Sequence, residues 1–193
     1  MNIFFVEDNA VLSRWLQTHL SKTPGLNIIG NASEGRDAIE KILSMKPDVA
    51  LVDIGLPDIS GIQVTREVKQ ALPSLRVIML TASDDQDDIF NALEAGADGY
   101  VLKAKGAPHL TSAIEDVRTG SVWLDPSIAQ FVLVNNNRQL QKPIPGRHTL
   151  TNIEIAKLGE VAASNCKDGV CLVDPEFVQK LKRLHSANAT CAQ

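Results

Sequence analysis

Val49-Ala-Leu-Val-Asp53-Ile-Gly-Leu-Pro-Asp-Ile-Ser-Gly61 is the stretch on which the fold turns. Four apolar residues run without alternation into a carboxylate, and Pro57 and Gly61 then punctuate the turn that follows. A short run that is apolar throughout is the pattern of a strand buried on both faces of a parallel sheet. Four more such runs occur, at residues 3–6, 27–30, 77–80 and 100–102. Between them lie amphipathic stretches, the first at residues 11–20 with Val11, Leu12, Trp15, Leu16 and Leu20 on one face. Residues 36–45, 62–72, 87–95 and 110–117 carry the same helical spacing. Pro24-Gly25, Pro47, Pro73 and Gly96 fall between elements, where they cost least. Five strand–helix repeats predict a doubly wound α/β fold with a five-stranded parallel sheet, because parallel neighbours need crossover helices.

In such sheets ligands bind outside the carboxyl ends of the strands. The predicted strands finish in Glu7-Asp8, Asp53, Thr81 and Lys103, so one edge gathers three carboxylates, a hydroxyl and an ammonium. Three crowded acids repel one another unless a cation lies among them. Oxygen donors around an open cavity suit Mg²⁺, which keeps several waters and accepts phosphoryl oxygens. Asp53, ending the middle strand, is the candidate nucleophile, since a carboxylate can take a phosphoryl group covalently. Glu7 and Asp8 would hold the metal, with the Gly55 backbone carbonyl as a further donor. Lys103 would pair with one phosphoryl oxygen and Thr81 would hydrogen-bond another. The bland alternatives are that Asp8 caps the first helix, that Thr81 caps the helix after it, and that Lys103 is a solvated lysine. Chance placement of all five at strand ends is the weaker reading.

The rest of the composition narrows the function classes. No apolar run approaches the length that crosses a bilayer. The chain opens on Met-Asn-Ile-Phe-Phe-Val and Glu7-Asp8, without a basic leader, so a cytoplasmic, membrane-free protein is expected. Cys166, Cys171 and Cys191 are too few and too local for a disulfide framework. Neither a Walker A loop nor a G-x-G-x-x-G run is present. Residues 1–120 carry 11 Lys and Arg against 17 Asp and Glu, whereas residues 121–193 carry 8 against 6. An acidic first module and a mildly basic second one fit two different partners.

Glu7-Asp8, the Asp53–Gly61 stretch, Thr81-Ala-Ser and Ala95-Gly-Ala-Asp-Gly-Tyr-Val-Leu-Lys103 together resemble the receiver domain of bacterial two-component response regulators. The resemblance covers residues 1–120 and implies a flavodoxin-like sheet in the order 2-1-3-4-5. It also implies phosphorylation of Asp53 by a partner histidine kinase with Mg²⁺. Such a chain accepts a phosphoryl group, at most removes it from itself, and is otherwise not an enzyme. Thr81 and Tyr100 hold the positions of a hydroxyl and a ring that rearrange together on phosphorylation. Taken without the family, Tyr100 is a half-buried strand aromatic.

Residues 121–134 resemble the short helix that follows the receiver in the NarL/FixJ subfamily, and residues 135–146 supply a polar, proline-bearing linker. Residues 121–149 are therefore read as a helical extension and linker. Leu150-Thr151-Asn-Ile-Glu154 resembles the opening of a LuxR-type helix-turn-helix module. Past it the match decays: Asp168-Gly169 breaks helix, and no fourth helix follows the predicted one at residues 175–185. Residues 150–193 are thus a divergent or truncated form of that module, a small helical region. Its candidate DNA contacts are Lys180, Lys182 and Arg183, which equally suit a solvated face. Cys166, Cys171, His185 and Cys191 are acceptable zinc ligands, but they lack a close C-x₂-C pair and read better as reduced, small apolar residues. The expected function is a transcription-controlling response regulator, with promoter DNA and a second copy of the chain as partners. The rival is a receiver that acts by phosphorylation-dependent protein–protein interaction without DNA.

Overall fold

The computed structural model describes residues 1–82, 85–124, 166–167 and 170–173. The chain divides into two compact units, Met1–Gly120 and Ser121–Gln193.

In the first unit five strands, β1 (Asn2–Val6), β2 (Asn27–Ala32), β3 (Val49–Asp53), β4 (Arg76–Thr81) and β5 (Gly99–Leu102), alternate with five helices. These are α1 (Ala10–Ser21), α2 (Gly35–Met45), α3 (Gly61–Ala71), α4 (Gln86–Ala95) and α5 (Ala107–Arg118). The strands are parallel in the order β2-β1-β3-β4-β5. The runs at residues 3–6, 49–52 and 77–80 became strands because both of their faces are covered, and each is buried throughout; β2, at the edge of the sheet, is only part-buried. Helices α2, α3 and α4 pack side by side. Helices α1 and α5 are joined by His19 Nε2 and Thr111 Oγ1, 3.0 Å apart.

Local chemistry sets the helix ends, and it corrects two alternatives. The α1 N-cap is Asn9, not Asp8: its side chain accepts from the amides of Val11 and Leu12 at 3.0 and 3.1 Å. The α4 N-cap is Asp85, not Thr81, accepting from Asp87 and Asp88. Each cap satisfies amides that the first turn leaves unpaired, an effect of about 1 kcal/mol. Neither Asp8 nor Thr81 is the N-cap of the helix that follows it. Helix α4 stops at Gly96, whose φ of 101° is open to glycine but costly for other residues.

In the second unit every described residue but Ser121 is in a strand. β6 (Val122–Leu124) pairs antiparallel with β8 (Val170–Val173), and β7 (Cys166–Lys167) pairs antiparallel with β8. A helical extension expected to start at residue 121 is therefore replaced at its outset by a strand. Val122-Trp-Leu124 is β-branched and aromatic, which suits a pleated surface, and all three residues are buried. The helix-breaking character of Asp168-Gly169 agrees with what flanks it, two strands two residues apart. Thr151, Glu154, Lys180, Lys182, Arg183, His185, Cys191 and the predicted helix at 175–185 lie outside the described residues.

Candidate acidic site at the strand ends

The five sequence candidates converge at the carboxyl edge of the first unit's sheet. β1 runs into Glu7 and Asp8, β3 ends on Asp53 and β4 on Thr81. β5 stops at Leu102, so Lys103 begins the 3₁₀ turn Lys103–Lys105 rather than ending the strand. Because β1 lies beside β3, the acids meet across neighbouring strands. One carboxylate oxygen from each of Glu7, Asp8 and Asp53 lies within 4.8 Å of the others.

Lys103 ties this cluster together. Its ammonium is 2.8 Å from Asp53 Oδ2 and 3.0 Å from Glu7 Oε2, and it donates to Glu7 Oε1 at 3.3 Å. Glu7 is 2% exposed and Asp53 5%, whereas Asp8 is exposed. Burial raises the Glu7 carboxyl above its ordinary 4.5; the Lys103 hydrogen bond opposes this and the charge of Asp53 adds to it. Burial by itself would pull Lys103 down, but its hydrogen bonds to Asp53 and Glu7 outweigh that and hold the ammonium above 10.5.

The residues fit a divalent cation. Three carboxylates against one ammonium leave a formal charge of −2, an imbalance that a dication cancels. Glu7 Oε2 is buried and faces the Lys103 ammonium at 3.0 Å, a contact that offsets only one of the three carboxylate charges. An all-oxygen set with one exposed member suits Mg²⁺, which prefers few protein ligands and retained water. Gly55 is exposed beside Asp53, and its amide donates to Asp53 Oδ1 at 3.3 Å.

The loop after β3 is built around Gly61. A Cβ there would lie 1.9 Å from the Asp53 carbonyl oxygen, so only glycine lets α3 start this close to the strand. The Gly61 amide donates to the Ile54 carbonyl at 2.9 Å, and the Ile54 amide to the Leu80 carbonyl at 3.2 Å. Thr81 is 3% exposed and Tyr100 fully buried, not half-buried as its sequence alone suggested. Thr81 pairs with Leu102 and Met79 with Tyr100, so the hydroxyl and the ring share one face of the sheet.

Two structural carboxylates were not singled out by the sequence pattern. Asp58 accepts from the amides of Gly35 and Arg36 at 2.7 and 2.9 Å, capping α2 from another loop. These bonds hold its carboxyl well below its ordinary 3.8, at about 2. Asp98 binds Lys69 Nζ at 2.8 Å, Arg76 at 2.9 Å and the Val77 amide at 2.9 Å, clamping β5 to β4 and α3. A carboxylate in a turn motif was the available signal for both, but their partners are 20 or more residues away in sequence.

The family model for the response regulator receiver domain matches residues 3–115. The chain belongs to the response regulator receiver family. It is 29% identical over 155 residues to the response regulator protein VraR of Staphylococcus epidermidis, covering 80% of this chain and 72% of that one. A two-component response regulator of the LuxR family from Aurantimonas sp. SI85-9A1 superposes with a TM-score of 0.66 and 28% identity, over 71% of this chain and 96% of that one. The receiver domain of a NarL response regulator from Mycobacterium tuberculosis gives 0.59 and 29%, over 62% and 96%. The relatives are thus VraR-type and LuxR-family regulators, and the chain itself is a two-component response regulator.

Proposed function

We propose that the protein receives a phosphoryl group on Asp53 from a sensor histidine kinase and passes the signal to transcription. The observation that carries this reading is the ammonium of Lys103 held between Asp53 and Glu7 at 2.8 and 3.0 Å. A carboxylate oxygen of Asp53 attacks the phosphorus of the kinase phosphohistidine; the P–N bond breaks, the acyl phosphate forms and a proton returns to the leaving imidazole. Lys103 is placed to follow a phosphoryl oxygen as charge builds there. Thr81, ending the adjacent strand, is placed to donate to another. Glu7, Asp8, Asp53 and the Gly55 carbonyl would hold Mg²⁺, which supplies charge neutralisation at the phosphoryl oxygens when bound. Because the Tyr100 ring is already inside, phosphorylation is read as favouring this buried arrangement over an outward one, a shift between two states. The protein is not otherwise an enzyme and acts in the cytoplasm; among the described residues no helix is long and apolar enough to cross a membrane.

Exposure to acetyl phosphate and Mg²⁺, read by intact mass, tests this. One phosphoryl adduct is expected on the wild type and none on Asp53→Asn; an adduct surviving that substitution would place the chemistry elsewhere.

Promoter DNA is the proposed output target, supported by the LuxR-family relatives, with a second copy of the chain as partner. The β7–β8 pairing, where a helix-turn-helix module would have helix, favours the second reading, output by protein–protein contact. A gel shift across salt concentrations separates them, because phosphate contacts make DNA affinity fall steeply with salt.

A further inference from the structure

We propose that Asp58 is a positioning residue for the metal site, tying the tip of the β3–α3 loop to the N-terminus of α2 so that Gly55 and Asp53 are held ready for Mg²⁺. The proposal rests on the receiver chemistry proposed above. The base of this loop is fixed by Ile54 to Leu80 and by Gly61 and Leu56 to the Ile54 carbonyl. Those bonds close its two ends and leave the outer part, Pro57 to Ile59, to be held by other means. Asp58 supplies the hold with both carboxylate oxygens, on Gly35 and Arg36. Among the described residues, Pro57 to Ile59 make no other hydrogen bond to α2.

The dock is shaped from both sides. Glu34, the residue at the N-cap of α2, makes no side-chain cap, so the amides of Gly35 and Arg36 are left for the loop. A Cβ on Gly35 would lie 2.5 Å from Ile59 Cγ1 and 2.8 Å from Val64 Cγ2, so glycine at this position lets the loop and α3 approach. A carboxylate at a helix N-terminus also meets the positive end of the helix dipole. Asp58 and Gly55 thus lie on one short loop, with its ends hydrogen-bonded and its tip clamped. Groups that orient metal donors from outside typically change metal affinity by about 10–100-fold when removed.

The wild-type chain, Asp58→Ala, Asp58→Asn and Gly35→Ala are titrated with Mg²⁺ by amide NMR, and the metal-free proteins are followed by hydrogen exchange. Asp58→Ala is expected to weaken Mg²⁺ binding about 10-fold. It should also speed exchange at Gly55 and Leu56 as well as at Gly35 and Arg36. Asp58→Asn, keeping one oxygen acceptor, should fall between, and Gly35→Ala should loosen the same amides without touching the carboxylate. Labelling by acetyl phosphate should slow at limiting Mg²⁺ and recover at saturation. Faster exchange confined to Gly35 and Arg36, with unchanged Mg²⁺ affinity, would reduce Asp58 to a helix cap and overturn the proposal. If the wild type itself neither binds Mg²⁺ nor takes a phosphoryl group, the receiver reading falls and the positioning role falls with it. Loss of labelling in Asp58→Ala alone would leave the receiver reading standing.

Discussion

Replacing Gly61 by alanine tests whether the start of α3 sets the position of Asp53. The added Cβ would sit 1.9 Å from the Asp53 carbonyl oxygen and 3.0 Å from Val52 Cγ1. Ordinary contacts lie beyond about 3.4 Å, so strand and helix must part by more than an ångström. Parting them breaks or lengthens the 2.9 Å bond from the Gly61 amide to Ile54, worth about 1 kcal/mol. Overpacking a site that cannot relax adds about 1–3 kcal/mol. Against this, alanine is the better helix former by up to about 1 kcal/mol. The net expectation is a loss of about 2 kcal/mol in urea unfolding, with the m-value unchanged. Because the atom that must move belongs to Asp53, labelling by acetyl phosphate should also fall at least 10-fold in the molecules that remain folded. Gly55→Ala is the control for stability: a Cβ there meets nothing within 4 Å, and its unfolding midpoint should hardly move. A Gly61→Ala protein as stable as wild type and labelled at the same rate would refute the reasoning.

Asp98→Ala should destabilise the first unit by about 3 kcal/mol, at the low end for a buried pair because Arg76 is 39% exposed. The loss should show in urea unfolding, and Asp98→Asn should recover part of it through the Val77 amide. Asp58 titrates at about 2 in the fold against an ordinary 3.8, so its stabilising effect is present above about 3.8 and lost as pH falls through 2. A carboxyl NMR titration should therefore show Asp58 still ionised at pH 3, and a midpoint near 4 would contradict its bonds to α2. Lys103→Ala leaves Glu7 and Asp53 without their shared cation, and the acetyl phosphate adduct should become undetectable by intact mass while the fold survives in circular dichroism.

The amino-acid sequence by itself determined the elements of residues 1–120 and the edge where the site forms. Apolar runs at residues 3–6, 49–52 and 77–80 specify strands because burial on both faces leaves little room for polar residues. Each run ends in a residue able to bind or react, which places Glu7, Asp53 and Thr81 at strand ends without any knowledge of strand order. The tertiary structure decided what joins distant segments. Lys103 meets Glu7 across 96 residues of chain, Asp58 reaches α2 across 23 and Asp98 reaches Lys69 across 29. Periodicity reports only which face of an element is buried, whereas these contacts depend on sheet order and loop path. The caps show the same division on a smaller scale: several polar residues near each helix start could have capped it, and backbone geometry selected Asn9 and Asp85. At residues 122–124 a strand stands where a helix was expected, because pairing with residues 171–173 supplies hydrogen bonds that no local pattern announces.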